Sequence, residues 1–166
     1  MQVLSEANGA ARFDRIVTRE VPGRRGLRAW DMLLRAHATL LRQLETDLEG
    51  KTGLGLADFD VLAQLAIAGG SLRMTELADR ALISRSGMTR RVTRLVHEGL
   101  VRRTNADADA RGVVVQLTNS GLDRLTVAAP VHMGGVSDLF LMKLDDQELA
   151  VLETALAKVT LDCTFG

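Results

Sequence analysis

Apolar positions recur in steps of three and four over most of the chain. Leu27, Trp30, Leu33, Leu34, His37, Leu41, Leu44 and Leu48 predict a helix over 27–48, ended by Gly50, Gly53 and Gly55. Phe59, Leu62, Leu65 and Ala66 predict a second over 58–68, stopped by Gly69 and Gly70. Residues 71–74 read as a short extended piece. Thr75 is placed to cap a short helix over 76–82. Ser84 is placed to cap the next, which runs to about His97 and is closed by Gly99. Two short helices meeting across 81–84 make a helix-turn-helix. In the second of them Met88, Val92, Leu95 and Val96 form the stripe expected to be buried.

Residues 100–105 and the β-branched run 112–117 then read as strands joined by a polar tip, 106–110. A hairpin straight after a helix-turn-helix makes a winged helix-turn-helix. Thr118 can cap a further helix over 120–131, where Pro130, Gly134 and Gly135 are expected to bend or break the pattern. Asp145 and Glu148 have capping-box spacing and open a last helix with the stripe Leu149, Leu152, Leu156 and Val159. Residues 1–24 show no clean period and read as an arm. The fold class is mainly α with a small β-wing. The expected divisions are the arm 1–24, a helical segment 25–55, the winged helix-turn-helix 56–118 and C-terminal helices 119–166.

Composition narrows the function. The 166 residues carry 21 basic and 21 acidic side chains, so bulk charge names no partner. Residues 83–111, however, hold seven Arg against three acidic residues, a local charge of +4 against −4 for the rest. A basic helix-turn-helix and wing neutralise phosphates, so the expected partner is double-stranded DNA, bound in a salt-dependent way. Scarce aromatics (four Phe, one Trp, no Tyr) count against single-strand binding by base stacking. The longest apolar runs fall short of the roughly 18–20 residues that span a bilayer, and the first residues lack a secretory core. Membrane binding is therefore not expected, and a cytoplasmic location is.

The helix after Ser84 has a second, cationic face. Ser86, Arg90 and Thr93 lie on it, flanked by Arg85, Thr89 and Arg94, and Gly87 leaves room for close approach of DNA. A recognition helix reads base edges with its N-terminal residues. Arg90 is the candidate for a bidentate guanine contact, with Ser86 and Thr89 as less specific readers. Arg85, Arg91 and Arg94 are candidates for phosphates, which fix register only. Arg111 closes the wing tip and could reach the minor groove. Asp109 either orients Arg111 or is a turn residue.

These residues are familiar in combination. The stretch 77–103, LADRALISRSGMTRRVTRLVHEGLVRR, resembles the DNA-binding core of the MarR (multiple antibiotic resistance regulator) family, and 109–121, DARGVVVQLTNSG, resembles its D-x-R wing and strand-to-helix junction. The resemblance covers about residues 27–162. It implies a homodimer whose terminal helices (25–55 and 119–166) interlock, placing two recognition helices one DNA turn apart on a pseudo-palindromic operator. It also implies a repressor released by a small anionic or phenolic ligand. The wing pair of the family falls on Asp109 and Arg111.

An effector pocket between the dimerisation helices and the winged domain would draw on Trp30, His37, Phe59 and Met133, though Trp30 and Phe59 read more readily as core and His37 more readily as a buried or interface histidine. His37, His97 and His132 show no ligand spacing, so neither a metal nor another cofactor is expected. The single cysteine, Cys163, excludes an intrachain disulfide. GKTGLG at 50–55 lacks the spacing of a phosphate loop, and no catalytic motif is present, so the protein is not expected to be an enzyme. The alternative to DNA binding is a winged helix that binds protein.

Overall fold

The computed structural model describes residues 6–105 and 112–161. The elements run α1 (Glu6–Glu20), a single helical turn at Pro22–Arg24, α2 (Leu27–Thr52), α3 (Leu56–Ile67), β1 (Ser71–Arg73), α4 (Met74–Arg80), α5 (Arg85–His97), β2 (Val101–Asn105), β3 (Val113–Leu117), α6 (Asn119–Leu139), a short turn at Leu141–Lys143 and α7 (Asp146–Leu161). By internal contacts the chain divides within α2, into a unit ending at Leu41 and a unit starting at Arg42.

In the second unit the core gathers the predicted stripes. Leu48, Val61, Leu62, Leu65, Leu77, Met88, Val92, Leu95, Val101 and Val115 are fully buried. The sheet is antiparallel in the order β1-β3-β2, with Leu72 opposite Val115 and Arg103 opposite the same residue on the other edge. Burial follows from the period of each element: one face of α3, α4 and α5 is apolar, and Leu72 and Val115 are the inward residues of their strands. Val96, predicted to be buried, is 38% exposed at the edge of the α5 stripe.

Capping explains most of the element boundaries. Ser84 Oγ accepts from Gly87 N at 3.2 Å, starting α5 as its sequence position predicts. Gly99, at φ +73°, ends α5 in the left-handed region that suits glycine. Asp145 Oδ1 accepts from Glu148 N (2.8 Å) and Glu148 Oε2 from Asp145 N (2.9 Å), a complete capping box. Thr75 is not a cap: α4 begins two residues earlier than expected, at Met74 after Arg73, whose side chain makes no capping bond. The turn between α4 and α5 passes through Leu82 at φ +53°, an uncommon conformation for a branched side chain.

Further expectations are corrected. Residues 6–20 form a helix rather than an irregular arm. And α6 runs unbroken from Asn119 to Leu139 through Pro130. Pro130 lies on the exposed side of the helix, so the carbonyl it leaves without a partner faces water. Gly135 is a site of close packing, not a break: a Cβ there would come within 2.7 Å of Leu44 Cδ2. The stretch Asn119–Lys143, which holds an 18-residue window of mean hydropathy 1.3, is long and apolar enough by length and composition to cross a membrane, contrary to expectation. In the fold, its Leu125 and Ala128 are buried in the same core as Phe59 and Leu62.

Candidate nucleic-acid interface

Helix α5, the expected recognition helix, is held by an ion-pair cluster. Asp58, in the first turn of α3, is buried. It accepts from Arg91 Nη1 at 2.8 Å, and its other oxygen pairs with Arg94. Glu98 lies 3.7 Å from Arg94 Nε. The cluster depends on how α3 starts. Glu45 Oε2 accepts from Leu56 N at 2.6 Å, which caps α3, and the Asp58 amide bonds to the Gly55 carbonyl at 3.0 Å. Arg91 and Arg94, expected as phosphate contacts, are thus drawn to a buried carboxylate. With the charge of Asp58 removed from water, a compensating pair is what makes its burial tolerable.

The wing strand is tied to the same helix. Arg103 on β2 donates to Thr93 Oγ1 at 2.5 Å and to the Thr89 carbonyl at 3.0 Å. The Thr89 hydroxyl donates to the Arg85 carbonyl, and the Thr93 hydroxyl to the Thr89 carbonyl. Both threonines, expected on the DNA-reading face, therefore have their hydroxyl protons committed within the helix. Arg102 is held by Gln116 Oε1 at 2.7 Å.

What remains free on α5 is narrow. Arg85 and Arg90 are exposed, and their guanidiniums have no hydrogen-bonding or ion-pair partner among the described residues. Ser86 is exposed beside Ser84, with the hydroxyls 3.4 Å apart. Gly87 has an internal reason for being glycine: a Cβ would sit 3.0 Å from both Ile83 Cγ2 and Ser84 Oγ. A hollow of about 280 Å³ lies over Ile83, Gly87, Arg90, Arg91 and Arg94. The face offers two uncommitted guanidiniums around a helix N-terminus, which suits anionic, acceptor-rich surfaces. Asp109 and Arg111 of the wing, and Cys163, lie outside the described residues.

The four residues expected to line an effector pocket do not share one environment. Phe59 is buried in the core, whereas Trp30, His37 and Met133 are exposed. Trp30 fails as a core residue because the half of α2 that carries it has no buried residue before Leu44. Phe59 instead stacks with His132, ring centroids 4.5 Å apart and planes 36° inclined. His132 Nδ1 is buried without a partner. Burial lowers the His132 pKa from its ordinary value, against the pull of Asp60. Burial likewise raises the Asp60 carboxyl, which His132 and Arg91 oppose and Glu45 reinforces. Local spacing gives no sign of the Phe59–His132 pair, because the two rings belong to helices far apart in the sequence. Among the described residues no cluster of three or more His, Cys, Asp or Glu could hold a metal ion.

This arrangement defines a winged helix-turn-helix regulator, and comparison with known proteins gives its family. The sequence model of the MarR family matches residues 52–112. An uncharacterized HTH-type transcriptional regulator of Bacillus cereus is 30% identical over 117 residues, 70% of this chain and 77% of that protein. Among solved structures, AbsC, a MarR family transcriptional regulator from Streptomyces coelicolor, superposes with a TM-score of 0.76 at 28% identity, covering 96% of both chains. Sco3205, a MarR family regulator from the same organism solved in complex with DNA, superposes with a TM-score of 0.76 at 26% identity over 95% of this chain and 92% of its own. The chain belongs to the MarR family of transcriptional regulators.

Proposed function

We propose that this protein is a homodimeric repressor that binds a pseudo-palindromic operator in double-stranded DNA. The observation that carries the reading is the division of labour on α5. Arg91 and Arg94 are engaged by Asp58, while Arg85 and Arg90 stand uncommitted on the exposed face. Arg90 reads a guanine edge and Arg85 holds a phosphate, with Ser86 beside them. Arg91, Arg94 and Arg103 set the angle of the helix. Arg111 keeps the minor-groove role expected from its place at the wing tip, with Asp109 as the partner that the family resemblance gives it.

Dimerisation is supported by apolar surface left uncovered in one chain. In the first unit Trp30, Met32 and Leu34 are about half exposed or more, and in the second so are Met142, Val151 and Leu161. No residue of α7 is buried. Release by a small aromatic acid belongs to the same proposal. It is supported by the Phe59–His132 ring pair and by His132 Nδ1, a donor or acceptor buried without a partner.

Sedimentation and fluorescence anisotropy test this reading together. The reading expects a dimer that binds DNA from upstream of its own gene more tightly than a scrambled duplex, loses affinity as salt rises, and releases DNA with salicylate. A monomer, or a protein that ignores both duplexes at low salt, contradicts it and favours a protein-binding winged helix.

A further inference from the structure

We propose that the N-terminal segment 12–28 is a second DNA-backbone contact, an arginine stripe that meets duplex phosphates in addition to those held by the winged domain. The inference rests on the reading of the chain as a DNA-binding regulator. Its starting point is where the positive charge lies. Residues 12–28 carry six Arg and two acidic residues, a charge of +4 equal to that of 83–111. Outside these two segments the chain is −8, so a neutral protein concentrates its whole cationic excess in two places.

The structure orders that charge. On α1, Arg12, Arg15 and Arg19 recur at i, i+3 and i+7 and so share one face, apart from Phe13 and Val17. Both acidic residues of the segment are already neutralised. Asp14 is paired with Arg24, which folds the Pro22–Arg24 turn back onto α1, and Glu20 lies 2.5 Å from Arg19. Arg12, Arg15, Arg25 and Arg28 are left exposed and without a partner among the described residues. Four uncompensated guanidiniums, two on α1, one just after the turn that follows it and one in the first turn of α2, match a polyanion that is read as a bidentate phosphate array. An anionic membrane fits less well. The apolar side of α1 offers only Phe13, Ile16 and Val17 as large side chains, the remainder being alanine and glycine, which is thin for interfacial burial.

The test uses the full chain and the variant Arg12→Gln/Arg15→Gln/Arg25→Gln/Arg28→Gln, with the corresponding Arg→Lys variant as control. Anisotropy is read over a salt series on the upstream duplex and on a scrambled one. The Gln variant is expected to flatten the dependence of log K on log salt by about 0.9 for every phosphate it no longer neutralises. The slope should fall equally on both duplexes, leaving the ratio of their affinities unchanged, because phosphates carry no sequence information. The Lys variant should keep the wild-type slope. An unchanged slope in the Gln variant, with wild type still preferring its own site, overturns the stripe and leaves the winged-helix reading intact. So does loss of binding to phosphatidylglycerol vesicles in the Gln variant without a change on DNA. A wild-type protein that binds neither duplex overturns both readings.

Discussion

Asp58 Oδ1 and Arg91 Nη1 meet at 2.8 Å although 33 positions separate them, and this pair ties α3 to α5. The same carboxylate holds Arg94 one turn further along α5. A single buried acid thus pairs with two of the four arginines of α5, while the guanidiniums of Arg85 and Arg90 have no partner among the described residues.

Asp58→Asn keeps the shape and removes the charge. Weakening the charge-assisted bonds to two guanidiniums is expected to lower stability by about 2 kcal/mol, read from urea midpoints. Sequence preference should fall with it, because α5 is less firmly oriented. Affinity for scrambled duplex should not fall, since Arg91 and Arg94 become free cations. Wild-type stability in this variant would show that the cluster holds nothing in place.

Gly121 lies where α6 leaves the wing. A Cβ there would collide with the Leu100 carbonyl and come within 2.8 Å of Leu117 Cδ1. Thr118 secures the same corner, accepting from Gly121 N at 3.0 Å and donating to the Gly99 carbonyl at 2.7 Å. Gly121→Ala is expected to cost about 3 kcal/mol in thermal or urea unfolding. Gly134→Ala, with nothing within 4 Å of its new Cβ, should be neutral or stabilising by up to about 1 kcal/mol. Equal effects at the two positions would contradict the close approach at Leu100.

His132 gives the fold a pH dependence of defined sign. Its pKa is lowered from 6.5 in the folded chain, so the unfolded chain binds its proton first as pH falls. Its contribution is complete above 6.5 and is lost progressively as pH drops from there toward the folded value. Asp60 acts in the opposite sense. Its raised pKa favours the fold when the carboxyl is protonated and withdraws that support as pH rises through the folded value. Melting temperatures measured between pH 7 and 5 should therefore fall less in His132→Phe, which keeps the ring contact with Phe59 and cannot titrate. Parallel curves for the two proteins would remove His132 as the source.

Much of the fold is legible from local pattern. The stripes of α2, α3 and α5, the caps Ser84 and Asp145 and the strands of the wing are set by residues within one or two turns of each other. Helix α1 is hidden because Gly9 and interspersed charges break the period that Phe13, Ile16 and Val17 suggest. Continuity of α6 is hidden because Pro130 reads as a break unless its freed carbonyl is known to face solvent. The roles of Arg91 and Arg94 lie beyond local reasoning. Spacing puts both beside the cationic face, and only tertiary structure brings a buried Asp58 to them. The same holds for Thr93, whose hydroxyl receives Arg103 from a strand.

In the proposed function Arg90 reads a base while Arg91 and Arg94 pair with Asp58. Anisotropy of Arg90→Ala against wild type, on the upstream duplex and on a scrambled one at the same salt, tests this most directly. The expected result is a loss of about 1–3 kcal/mol on the upstream duplex and a much smaller loss on the scrambled one, so that sequence preference narrows. An equal loss on both duplexes would make Arg90 a phosphate contact and contradict the base-reading role.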